Sequence, residues 1–156
     1  MDYILVSDEI IAKVLIDKQS PFLRSIIVNK GSKDRIKLGM AVLDGEFLVG
    51  KVVEVNFTTA RVLLLSDLNS KIPVTIEPGG YQSILSGTGK NNGVIQYSKE
   101  EISLEDGNTV YTSGSGAIFK SGIPIGKIQG KRNVNYLSDF SQIRFVKIIS
   151  FAKEEN

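Results

Sequence analysis

Apolar positions in this chain fall in short runs separated by polar, glycine-rich or proline-containing stretches, the pattern of strands joined by turns. Ile10-Ile11-Ala12-Lys13-Val14-Leu15-Ile16 predicts a first strand, ending in the polar turn Asp17-Lys18-Gln19-Ser20-Pro21. Ile26-Ile27-Val28 predicts a second, stopped by Asn29-Lys30-Gly31-Ser32-Lys33-Asp34. Met40-Ala41-Val42-Leu43 meets Asp44-Gly45, a favoured hairpin pair, and the chain returns through residues 47–55. Strict alternation there puts Val49, Lys51, Val53 and Val55 on one face and Val52 and Glu54 on the other, with Gly50 a bulge or packed crossing. The nearly continuous apolar run 60–65 predicts a strand covered on both faces, and Pro73 within the run 71–76 argues for an edge or a bulge.

Glu77-Pro78-Gly79-Gly80 is the strongest punctuation in the chain and predicts a boundary or sharp corner. Beyond it, residues 82–85 and 94–97 predict a hairpin about a flexible tip, and the acidic stretch 98–106 a solvated connector with a helical turn. Further strands are expected at 109–111, 125–128 and 142–149, followed by a frayed tail at 151–156. No long stretch has period 3.6, so the fold class is all-β.

An internal echo organises these strands. Lys37-Leu38-Gly39-Met40-Ala41-Val42 followed by Val49-Gly50-Lys51-Val52 matches Glu105-Asp106-Gly107-Asn108-Thr109-Val110 followed by Ile125-Gly126-Lys127-Ile128. Each copy precedes an apolar strand, at 60–65 and 142–149, so two related small β units packed together are predicted. The second copy carries a long glycine-rich loop, 112–124, where the first has a short hairpin.

Composition narrows the chemistry. With 156 residues, 42% hydrophobic and 23% charged, the chain can bury a real core, and a net charge of +2 does not argue for nucleic acid. No apolar run reaches the roughly 18 residues of a membrane span. There is no histidine and no cysteine, which excludes a Ser-His-Asp triad and ordinary zinc, copper or haem sites, and no metal or other cofactor is expected.

The glycine-rich loop satisfies neither G-x-x-x-x-G-K-[ST] nor G-x-G-x-x-G, because Ile128 stands at the hydroxyl position and Phe119 at the third glycine. Ser113 or Ser115 could act as a nucleophile only with a lysine base such as Lys120 or Lys127, and the one S-x-x-K spacing, Ser150 to Lys153, lies at the chain end. Glu100 and Glu101 point to opposite faces if extended, which is poor geometry for a two-carboxylate site.

Over residues 10–149 the chain resembles the extracytoplasmic domain of the rod shape-determining MreC family. The resemblance rests on Ile26-Ile27-Val28-Asn29-Lys30-Gly31-Ser32, Gly39-Met40-Ala41-Val42, Leu48-Val49-Gly50-Lys51-Val52, Val62-Leu63-Leu64-Leu65-Ser66-Asp67, Val110-Tyr111-Thr112-Ser113-Gly114 and Gly122-Ile123-Pro124-Ile125-Gly126-Lys127-Ile128. Asn108 and Lys120 depart from the family's usual aspartate and proline.

The resemblance implies two small six-stranded-type β-barrels in a chymotrypsin-like arrangement without catalytic residues. It assigns residues 1–9 to the remnant of a linker or coiled coil, 10–77 to one barrel and 78–150 to the other, unless one is inserted in the other. It implies a scaffold of the cell-wall elongation machinery on the periplasmic face of the inner membrane, anchored by an N-terminal helix absent from this chain. The implied partners are a penicillin-binding transpeptidase, the MreD and MreB system and further copies of itself. Phe47, Leu48, Phe119, Ile123 and Pro124 are candidate protein contacts, with a place inside the barrels as the competing role. Thr112, Ser113, Gly114, Gly122 and Gly126 form the family-signature loop. The reading from another class is a serine hydrolase using Ser113 with a lysine base.

Overall fold

The computed structural model describes residues 3–6, 9–20, 22–97, 104–114, 120–150 and 152–155. Its strands are β1 (Tyr3–Val6), β2 (Glu9–Ser20), β3 (Leu23–Val28), β4 (Ala41–Asp44), β5 (Phe47–Val55), β6 (Ala60–Leu64) and β7 (Lys71–Glu77), then β8 (Tyr81–Gly87), β9 (Asn92–Tyr97), β10 (Thr109–Thr112), β11 (Pro124–Gln129), β12 (Asn133–Tyr136), β13 (Phe145–Ile149) and β14 (Ala152–Glu155). Alternate residues are buried: Ala60, Val62 and Leu64 in β6, and Ile72, Val74 and Ile76 in β7. A sheet with one apolar face can cover that face by curling on itself, which also removes its free edges. Both sheets do so, as closed barrels with strand orders β13-β2-β3-β6-β5-β4 and β10-β11-β12-β9-β8-β7.

The expected two-barrel, all-β architecture is therefore present, but the division of the chain is different. Pro78 lies in the β7–β8 hairpin, after a cis Glu77–Pro78 bond, and the chain changes barrels between Leu64 and Lys71. The last barrel strand, β13, returns to the first barrel between β2 and β4, so the second barrel is inserted into the first. A proline–glycine signal specifies a turn, and a turn inside a barrel looks locally like one between barrels.

Other expectations change for similar reasons. β2 continues through the polar residues to Ser20, since Asp17, Lys18 and Gln19 pair with Ile26, Ser25 and Arg24. Residues 152–155 are not a frayed tail and residues 3–6 are not a bare linker, because β1 and β14 pair antiparallel. Pro73 lies in no edge strand: β7 is bonded to β8 and β10, and Pro73 sits just past the last β10 pair, Thr112 with Val74. In β5, Leu48, Val49 and Val52 are all fully buried, since register shifts at Val42/Leu43 and Val52/Glu54 break simple alternation. The acidic connector falls mostly outside the described residues.

The internal echo is reproduced bond for bond. Gly39 N–H donates to Val52 O at 2.8 Å and Gly107 N–H to Ile128 O at 2.9 Å. Val52 and Ile128 return bonds to Met40 O and Asn108 O at 3.0 and 2.8 Å, and Leu65 and Leu137 bond Val49 O and Ile125 O at 2.9 and 3.0 Å. Thus β4–β5–β6 corresponds to β10–β11–β12, and the strand equivalent to residues 60–64 is β12, not 142–149. The cyclic strand orders then match throughout, with β7 in the place of β13.

Candidate functional site

The glycine-rich loop is built from its base upward. Thr112, at the end of β10, is buried, and its hydroxyl donates to Lys120 O at 2.6 Å while accepting from Ile123 N–H at 2.9 Å. Backbone bonds close the neck: Thr112 N–H to Ile123 O at 2.9 Å and Gly122 N–H to Thr112 O at 3.0 Å, with Gly122 at φ +83. One side chain thus holds both legs of a long hairpin excursion.

Ser113 is also buried; its hydroxyl donates to Gln82 Oε1 at 2.9 Å and its N–H to Pro73 O at 3.2 Å. That ties the loop to β7 and β8. A hydroxyl buried and engaged with a neutral amide has the environment of a structural serine, and Lys120 and Lys127 are exposed. Gly114 is exposed opposite Ser121, and Gly126 is packed against β12, where a Cβ would lie 2.4 Å from Asn135 O. The signature residues fix the loop's shape.

The candidate contact residues separate. Leu48 is fully buried and Ile123 is 6% exposed, so neither offers free docking surface in this chain. Alternation and register decide this, and a hairpin-tip position in sequence did not reveal it. Phe47 and Pro124 are half-buried and retain accessible surface, whereas Phe119 lies outside the described residues.

Two features escaped the sequence reading. The first is an apolar outer face on the first barrel: Ile11, Leu15 and Ile16 of β2 and Phe145 of β13 are each at least half exposed. Ile11 pairs with Lys147 and Phe145 with Lys13, which puts them on one face of the sheet. The broken alternation of residues 10–16 was the available signal.

The second is the joint between the barrels. Asp67, 1% exposed, accepts from Arg24 N–H at 2.7 Å through Oδ2 and from Asn69 N–H at 2.8 Å through Oδ1. Arg24 reaches across to Asn91 Oδ1 at 2.9 Å, and the Tyr136 hydroxyl donates to Leu65 O at 2.9 Å. Tyr136 stacks on Phe140 with ring centroids 4.8 Å apart. Burial raises the Tyr136 hydroxyl pKa well above the ordinary tyrosine value, opposed by the nearby Arg24 charge. The equivalent strands β5 and β11 also touch here. Ser66-Asp67 at the end of an apolar run was the visible cue.

Among the described residues no group of acidic side chains is placed to hold a metal ion, and no helix is long and apolar enough to cross a membrane.

The family model described as "Rod shape-determining protein MreC, barrel core" matches residues 14–154. The cell shape-determining protein MreC of Cereibacter sphaeroides is 34% identical over 140 residues, covering 87% of this chain and 47% of that protein. The chain thus spans about half the length of this curated relative. The crystal structure of MreC from Pseudomonas aeruginosa aligns with a TM-score of 0.83 at 28% identity, covering 90% of this chain and 98% of that one. A structure of the complex between penicillin-binding protein PBP2 and MreC from Helicobacter pylori aligns with a TM-score of 0.72 at 14% identity, covering 92% and 98%. At that identity the last likeness concerns the fold alone.

Proposed function

This chain belongs to the family of the rod shape-determining protein MreC, and from that premise we propose that it is a non-catalytic scaffold of the bacterial cell-wall elongation machinery, working by self-association and by binding a penicillin-binding transpeptidase. The observation that carries the reading is the family match over residues 14–154 together with the pair of closed barrels, a fold that a neighbour solved in complex with PBP2 also has. The buried, amide-bonded Ser113 supports a scaffold over a serine hydrolase. In this reading the domain sits on the periplasmic face of the inner membrane, and the anchored protein is linked to the MreD and MreB system.

Contact with the transpeptidase is assigned to exposed apolar side chains. The β2–β13 face, with Ile11, Leu15, Ile16 and Phe145, offers more such surface than Phe47 and Pro124, the loop candidates that are described and not buried; Phe119 stays a candidate. The test is a binding titration of the chain against the elongation transpeptidase of the same organism. Saturable binding, weakened at least about tenfold by Phe145→Ser, is expected, since loss of a buried aromatic anchor costs about 2 kcal/mol or more. No binding at high micromolar concentration would refute the partner, and covalent labelling of Ser113 by a serine-directed probe in the folded chain would refute the non-catalytic reading.

A further inference from the structure

We propose that the end of the first barrel formed by residues 29–40 and 56–59 is a docking surface for an anionic lipid bilayer. This end is set by the strand register. Val28 pairs with Ala60 and Val14, and Ile149 with Glu9, so the β3–β4 loop, the β5–β6 turn and the chain's entry into and exit from the barrel share one end. The second barrel leaves from the opposite end, after Leu64.

The loop and the turn are bound into one rigid unit. Ser32 N–H donates to Asn56 O at 2.8 Å and Lys33 N–H to Phe57 O at 3.1 Å. Gly31 lies so close to the turn that a Cβ there would stand 2.2 Å from Asn56 O, so only glycine allows this contact. Asp34 turns inward, its Oδ2 accepting from Gly31 N–H at 3.1 Å, and Arg35 takes a left-handed conformation at φ 68 that carries its side chain outward to solvent.

The chemistry of the resulting surface is mixed in a specific way. Phe57 and Leu38 are 69% and 68% exposed, the largest such values in the described chain after Phe22. The β3–β4 loop carries Lys30, half-buried, and Lys33, Arg35 and Lys37, exposed. Among the acids with described side chains, Asp34 is engaged by Gly31 N–H, Glu9 pairs with Lys147 at 3.7 Å and Glu54 with Arg61 at 3.2 Å. Exposed apolar side chains on a bonded loop and turn that also carry exposed cations match an interface with phosphate headgroups above and hydrocarbon beneath. An acidic protein surface would satisfy the cations and leave Phe57 and Leu38 without an apolar partner.

The inference rests on the proposed periplasmic, membrane-anchored setting only for which leaflet is met, and its test does not involve the transpeptidase. The 156-residue chain is sedimented with vesicles of phosphatidylcholine alone and with vesicles containing phosphatidylglycerol, across a salt series. Binding to the anionic vesicles alone is expected, weakening as salt shortens the screening length from about 10 Å at 0.1 M to about 3 Å at 1 M. Lys33→Gln with Lys37→Gln should weaken binding about 25-fold, at about fivefold per cation, and Phe57→Ser should weaken it at every salt concentration. Unchanged far-UV circular dichroism checks that the variants fold. No binding to phosphatidylglycerol vesicles at low salt, equal binding to neutral vesicles, or unaltered binding by the variants would overturn the proposal. Capture by polyglutamate without vesicle binding would also overturn it, in favour of an acidic protein.

Discussion

Replacing Gly126 by alanine would place a Cβ 2.4 Å from the carbonyl oxygen of Asn135 and 2.7 Å from Cγ1 of Val134, about 1 Å inside ordinary contact. The obstruction is backbone on the neighbouring strand, so no rotamer change relieves it. β11 cannot slide away either, because Gly126 is registered with Val110 on one side and Tyr136 on the other within a closed barrel. Overpacking a tight interior costs about 1–3 kcal/mol, and a rigid backbone clash belongs at the upper end, about 3 kcal/mol. For a chain of this size that lowers Tm by about 6–12 °C. Gly50, whose Cβ would stand 2.3 Å from Leu63 O and 2.9 Å from Val62 Cγ1, occupies the equivalent place in the first barrel, so Gly50→Ala should cost about the same. Gly114→Ala is the control: among the described residues the nearest atom is the Ser121 Cβ at 3.3 Å and Gly114 is exposed, so about 0.5 kcal/mol or less is expected. Urea unfolding followed by circular dichroism measures all three. A cost below about 0.5 kcal/mol for either barrel glycine would refute the close-packing argument and the structural equivalence of the two crossings.

Asp67→Ala should destabilise by about 2–4 kcal/mol, because it strands the Arg24 and Asn69 N–H groups at the barrel joint; unfolding at the parent's urea midpoint would disprove it. Thr112→Val removes both side-chain bonds at the loop neck and leaves the two backbone ones, so limited proteolysis within residues 113–122 should accelerate, and an unchanged digestion rate would count against that role. Tyr136→Phe should cost about 1 kcal/mol near neutral pH through the lost bond to Leu65 O. Its hydroxyl pKa is raised in the folded chain, so above the unfolded value of about 10 the folded state holds the proton more tightly and stability falls as pH rises. The phenylalanine variant lacks that decline, and the stability gap between the two proteins should therefore narrow from pH 9 to pH 11; a constant gap would contradict it.

Much of this molecule is decided by short-range chemistry that the sequence carries openly. Asp44-Gly45 makes its hairpin, with Gly45 at φ 61, and the alternation in residues 60–64 and 71–77 marks strands with one buried face. The Gly39/Gly107 and Gly50/Gly126 echo exposed the repeat because each unit needs glycine at the same two places: Gly39 and Gly107 take left-handed φ values of 86 and 89, and at Gly50 and Gly126 a neighbouring carbonyl leaves no room for a Cβ. The Thr112-Ser113-Gly114 stretch could be read as structural because the chain lacks histidine and its spacing fits no phosphate loop.

Tertiary structure alone decided which strands share a barrel. Residues 145–149 belong with residues 9–20 and 41–44, and nothing local to them says so, because pairing partners are chosen by closure of the whole sheet. It also decided that Leu48 and Ile123 are buried, since a register shift in each barrel resets the faces that strict alternation would assign. The joint at Asp67 and the basic end around Phe57 exist only once segments distant in the chain are brought together. Local pattern specifies strands and turns; the need to bury each sheet's apolar face without leaving an open edge specifies how they close.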